Sequence, residues 1–76
     1  MEPNTNAVVT ATNRNILLEI LTTGTSKNAI ATKAGISTSS FHRKVTGKTD
    51  FTLRELGQVA EALNLPIEGI IRNAAA

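Results

Sequence analysis

The twenty-one residues from Lys27 to Gly47, KNAIATKAGISTSSFHRKVTG, restrict the fold more than any other part of this chain. Ile30, Ala31 and Ala34 recur at helical spacing behind Ser26, a residue type that caps helix starts by accepting a backbone N–H. The small side chains of Ala31 and Ala34 allow the next helix to come close. Gly35 then takes the turn, because a positive φ costs glycine little. Ile36 serves as a core anchor, and Ser37 caps a second helix reaching about Thr46. Phe41 and Val45, four apart, share its inner stripe, and Gly47 ends it. Two short helices joined by a three- to four-residue turn containing Gly make a helix-turn-helix.

The flanking segments also read as helices. Ile16, Leu17, Ile20 and Leu21 repeat at helical spacing and are expected to face the core of a first helix that ends at Thr23 before Gly24. Its start has two solutions, an early cap at Thr5 or Asn6 and a late one at Thr12 or Asn13. Residues 1–6 read as a flexible N-terminal segment, residues 7–73 as the folded domain and residues 74–76 as a frayed end. Thr52-Leu53-Arg54-Glu55 is a capping box, with Phe51 and Leu56 spaced as a hydrophobic staple. Leu53, Leu56, Val59, Ala60 and Leu63 form the apolar face that follows. Asn64 ends that helix, Pro66 suits the first position of a fifth, and Ile67, Ile70 and Ile71 give the fifth an apolar face. With no strand-like alternation, the expected fold is all-α, a compact bundle of five short helices.

Composition removes several classes of function. At 76 residues without Cys, the chain has neither disulfides nor a thiolate metal site to staple a small core. His42 is the single His, and one imidazole does not make a zinc site. No metal or cofactor is therefore expected. The longest apolar run falls far short of the ~20 residues that span a membrane. The opening MEPNTNAVV lacks the basic and long apolar regions of a signal peptide. These features favour a cytoplasmic protein. No carboxylate pair, activated nucleophile or phosphate-binding glycine loop is visible, and Ser37 and His42 lack an orienting acid, so no enzymatic activity and no small-molecule substrate are expected.

The distribution of charge says more than the net +2. Between Ile20 and Thr49 stand Lys27, Lys33, Arg43, Lys44 and Lys48 and no acid, while all six acids lie outside that window. Such a division suits a polyanion partner on one side of the molecule. Opposite the Phe41–Val45 stripe fall Thr38, Ser39, His42 and Arg43. Arg43 is the best candidate for direct readout, since a guanidinium can bind guanine O6 and N7 together. Lys44 and His42 are placed for backbone phosphate.

Ile30-Ala31, Gly35-Ile36-Ser37, Phe41, Gly47 and the closing FTLRELGQVAEALNL segment together resemble the lambda-repressor-like, Xre/Cro-type helix-turn-helix family of bacterial and phage regulators. The likeness covers Ile16 to Ile71, about three quarters of the chain. It implies five helices, binding of double-stranded operator DNA, usually as a homodimer, and control of transcription. It also implies base contacts at Ser37, Thr38, Ser39 and Arg43, and phosphate contacts at Lys27, Asn28, Lys48 and Thr49. The chain departs from the pattern in two respects. Ile20 and Val45 stand where many members pair an Arg with a Glu, which predicts an apolar Ile20–Val45 contact. Thr38 and Ser39 replace the Gln pair of some relatives, and hydroxyls specify bases less sharply than bidentate amides. The second reading is a protein-interaction module, antirepressor- or antitoxin-like, that uses the apolar last helix.

Overall fold

The structure, a computed structural model, describes residues 5–71. Five helices follow in order: α1 (Thr5–Thr23), α2 (Lys27–Ala34), α3 (Thr38–Val45), α4 (Leu53–Ala62) and α5 (Glu68–Ile71). No strand occurs among the described residues. α4 packs mainly on α2, α5 on α1, and α3 sits against both α1 and α2. The all-α, five-helix expectation agrees with this arrangement.

Local sequence sets the helix boundaries. Ser26 Oγ accepts from Ala29 N at 3.0 Å and Ser37 Oγ from Ser40 N at 3.3 Å. The capping box of α4 is complete: Thr52 Oγ1 accepts from Glu55 N at 3.0 Å, and Glu55 Oε1 accepts from Thr52 N at 2.9 Å. Three helices end alike. The amides of Gly35 and Ile36 return to Thr32 O and Ala31 O, those of Gly47 and Lys48 to Lys44 O and Arg43 O, and those of Asn64 and Leu65 to Glu61 O and Ala60 O. This paired return is the Schellman motif, whose first residue must be left-handed. Gly35 (φ 74°), Gly47 (φ 87°) and Asn64 (φ 59°) meet that requirement.

Inside, Ile16, Ile20, Ile30, Phe41, Val45, Val59 and Ile70 form one core with the small side chains of Ala31, Ala34 and Ala60. Phe41 is 1% exposed and meets Phe51 edge-to-face, with ring centroids 5.8 Å apart. Ile20 and Val45 are both buried in that core, as expected of an apolar substitute for an ion pair.

Several expectations need correction. α1 begins at Thr5, earlier than a cap at Thr12 or Asn13 would allow, and Thr5 and Asn6 lie within the helix rather than capping it; residues 1–4 and 72–76, and with them the frayed end at 74–76, lie outside the described residues. Asn13 is then no cap. It lies buried in mid-helix, and its Nδ2 donates to Lys44 O at 3.3 Å, at the C-terminal end of α3. Asn15 does the same for α5, donating to Ile70 O at 2.9 Å. Leu21 and Leu53, both expected in the core, are each 76% exposed. At about 100° per residue, Leu21 lies about 140° round α1 from Ile16, and Leu53 about 120° round α4 from Val59. α5 begins at Glu68, two residues after Pro66, whose carbonyl accepts from Gly69 N. On that last segment Ile70 is fully buried and Ile67 packs on the core, leaving Ile71 at 39% exposure.

Candidate nucleic-acid interface

α3 presents a polar surface because its two apolar residues are spent on the core. Phe41 and Val45 point inward, and Thr38, Ser39, His42, Arg43 and Thr46 are all exposed. Thr38 and His42, and Ser39 and Arg43, form two four-residue steps along the outer side. Ser37 is also exposed, with its hydroxyl committed as acceptor to the Ser40 amide. The helix starts at the three-residue connection Gly35-Ile36-Ser37, where Ile36 is 8% exposed and anchors the turn in the core. The lever that aims α3 is thus apolar, and the surface it displays is free of structural duty except at Ser37 and at Thr46, whose hydroxyl donates back to His42 O and Arg43 O.

Neighbouring segments bring cations to the same part of the chain. Lys27 and Asn28 open α2 and are exposed, as are Lys48 and Thr49 just after α3. The Schellman closure folds this last pair back, with the amides of Lys48 and Thr49 both donating to Arg43 O, at 2.9 and 3.3 Å. The α3 C-terminus has His42, Arg43 and Lys44 in its last turn, which the negative end of the helix dipole favours. Lys33, exposed near the end of α2, adds a cation that the motif-based reading did not use. Its position in the acid-free window was the available signal.

Lys44 departs from expectation. Its side chain is only 16% exposed, and its ammonium donates to Glu55 Oε2. One carboxylate therefore serves two ends, with Oε1 closing the α4 capping box and Oε2 holding α3. Lys44 is tied on its carbonyl side too, where Asn13 donates. It is a junction between α1, α3 and α4, and its charge is neutralised within the fold. Glu55 was visible in the sequence as a cap, but nothing there showed that its second oxygen would meet a lysine eleven residues earlier. We predict that Lys44→Met leaves the salt dependence of DNA binding unchanged. Lys48→Ala should lower the slope of log K against log[salt] by about 0.9, the loss of one phosphate contact. Titrations at several salt concentrations read both.

The hydrogen bonds from Lys44 and from the Thr52 amide hold the Glu55 carboxyl below the usual carboxylate range. A carboxylate with a depressed folded-state pKa stabilises the fold fully above its unfolded value, ~4.3. That contribution is lost as pH falls through the lower folded value. Thermal melts between about pH 5 and pH 2 should therefore fall less steeply for Glu55→Gln than for the wild type.

Among the described residues no group of three His, Asp or Glu side chains could hold a metal ion. No described helix is long and apolar enough to cross a membrane. A family profile described as the BetR domain matches residues 4–75, nearly the whole chain. The chain belongs to the BetR domain family. The BetR domain is a helical, helix-turn-helix-like domain of the DNA-binding, regulatory type. Comparison with curated proteins gives no match. What the BetR assignment adds to the geometry is the kind of partner, DNA. It does not distribute roles among the side chains on α2 and α3.

Proposed function

We propose that this BetR domain is a sequence-specific, double-stranded-DNA-binding transcriptional regulator of the phage or bacterial repressor/Cro type, acting in the cytoplasm. α2 and α3 form its helix-turn-helix, and α3 enters the major groove. The observation that carries the reading is the exposed outer side of α3, polar and free of acids, together with exposed Lys27 at the start of α2 and exposed Lys48 just after α3. Arg43 reads guanine through O6 and N7, for roughly 1–3 kcal/mol of discrimination. Thr38 and Ser39 make hydroxyl contacts to bases, and Ser37 contributes from the cap position. Lys27, Asn28, His42, Lys48 and Thr49 set the register on the backbone, a role that carries no sequence information. Lys27 supports this assignment, since a cation at a helix start is mildly unfavourable against the dipole unless an anion lies nearby.

The interaction-module alternative, built on the last helix, loses most of its surface. Ile70 is buried and Ile67 packs inward, so α5 closes the core rather than offering an apolar face. Selection of bound sites from random DNA tests the proposal. A recurrent short motif with guanine at the position that Arg43→Ala relaxes is the expected result. Enrichment of no motif would overturn sequence-specific readout.

A further inference from the structure

A buried amide stands among the aliphatic residues on the inner face of α1. Asn13 shares that face with Ile16, Leu17 and Ile20, and it is 8% exposed. Burying an amide costs more than burying an alkyl group, and a hydrogen bond does little more than recover the difference. The acceptor does not need it either. Lys44 O already accepts from Gly47 N at 3.1 Å, and the 3.3 Å bond from Asn13 Nδ2 comes in addition. What the amide supplies, and an alkyl group would not, is a directional link from α1 to the last turn of α3.

A second link meets the first at the same residue. Lys44 Nζ donates to Glu55 Oε2, while Glu55 Oε1 accepts from Thr52 N at the start of α4. The last turn of α3 is thus held from α1 and from α4, both times through the neighbour of Arg43. Ile36, Phe41 and Val45 fix α3 on the core, but apolar contacts are non-directional and leave its angle loosely set. Hydrogen bonds weaken steeply on misalignment, so the two links set that angle. The eight residues of α3 form a rod about 12 Å long. A tilt of about 5° at one end moves the other by about 1 Å, twice the ~0.5 Å within which a binding constellation must be held.

We propose that Asn13 and Glu55 are positioning residues for base readout, acting through Lys44 to set the angle at which α3 presents Arg43. Neither residue touches DNA. This role rests on the DNA-binding reading and extends it to two side chains outside the recognition surface. Contacts to base edges demand exact placement, whereas charge neutralisation by Lys27 and Lys48 carries no sequence information and tolerates small shifts. The two links therefore govern discrimination between sequences rather than overall affinity.

The test reads the ratio of affinities for a selected site and for random duplex, by fluorescence anisotropy well below the melting temperature of each variant. Asn13→Leu keeps the branched shape, and a cavity lined by Asn13, Val9, Phe51 and Leu56 leaves room for the slightly larger side chain. It should lower the ratio about tenfold, within the roughly 5- to 150-fold that the Arg43 contact supplies, and leave binding to random duplex nearly unchanged. Lys44→Met, which removes the Glu55 bridge, is the second arm should Asn13→Leu fold poorly, and should lower the ratio similarly. Asn15→Leu is the control for a merely structural role. It removes an amide link of the same kind from the same helix, but one to Ile70 O of α5, and should keep the wild-type ratio. A wild type that does not discriminate would sink the DNA-reading function, and the positioning role with it. Given a discriminating wild type, an unchanged ratio in folded Asn13→Leu or Lys44→Met, or an equal fall in Asn15→Leu, overturns the positioning role alone.

Discussion

Phe41→Ala is expected to remove a large share of the protein's folding stability. Phe41 is 1% exposed, faces the same core as Ile16, Val45 and Val59, and meets the ring of Phe51 edge-on. Truncating a buried Phe to Ala costs about 3–5 kcal/mol, from lost transfer energy and from the cavity left behind. A domain of this size has only about 4–11 kcal/mol in total, at roughly 0.05–0.15 kcal/mol per residue. Each kcal/mol moves the melting temperature of a small domain by about 4–8 °C, so the variant should melt tens of degrees below the wild type. Far-UV circular dichroism read against temperature measures it. Phe41→Leu keeps most of the volume and should fall well short of that loss. A Phe41→Ala protein melting within a few degrees of the wild type would mean that α3 does not hang on this side chain.

Arg43→Ala should do the reverse, leaving stability intact and removing specificity. The side chain is exposed on the outer side of α3 and supports nothing inside; the internal bonds here run through the Arg43 carbonyl, which Lys48 N and Thr49 N share. Losing a bidentate guanine contact costs roughly 1–3 kcal/mol, or about 5- to 150-fold in affinity for the selected site. Binding to random duplex depends on charge neutralisation alone and should weaken far less. Fluorescence anisotropy with selected and random duplexes gives both numbers. Equal losses on the two would make Arg43 a phosphate contact instead of a reader.

These two variants separate what the residues disclosed from what they concealed. Elements governed by neighbours in sequence were legible. Ser26, Ser37 and Thr52 act within three residues, and Gly35, Gly47 and Asn64 end their helices by their own backbone freedom. The stripe Phe41–Val45 was legible because only one face of α3 is apolar. α1 was harder, since apolar residues lie on both of its sides and periodicity does not say which stripe is buried. Leu21 was assigned inward for that reason and belongs to the outer stripe. The tertiary polar ties were not legible at all. Asn13 to the Lys44 carbonyl spans thirty-one residues and Asn15 to the Ile70 carbonyl fifty-five, and neither pairing has a local signature. The Lys44–Glu55 pair belongs with them. It ties to a carboxylate one of the two side chains that the sequence places on α3 for backbone phosphate. Lys27, Arg43 and Lys48 remain, and they are the exposed cations on which the functional proposal now rests.

The most direct test of that proposal is the ratio of affinities for a selected site and for random duplex, measured at physiological salt with the wild-type chain. A helix that reads bases predicts a ratio of at least about 10³, the lower end for specific regulators. A ratio near one, with binding that vanishes as salt rises, would reduce the surface of α3 to a non-specific polyanion contact and contradict the account.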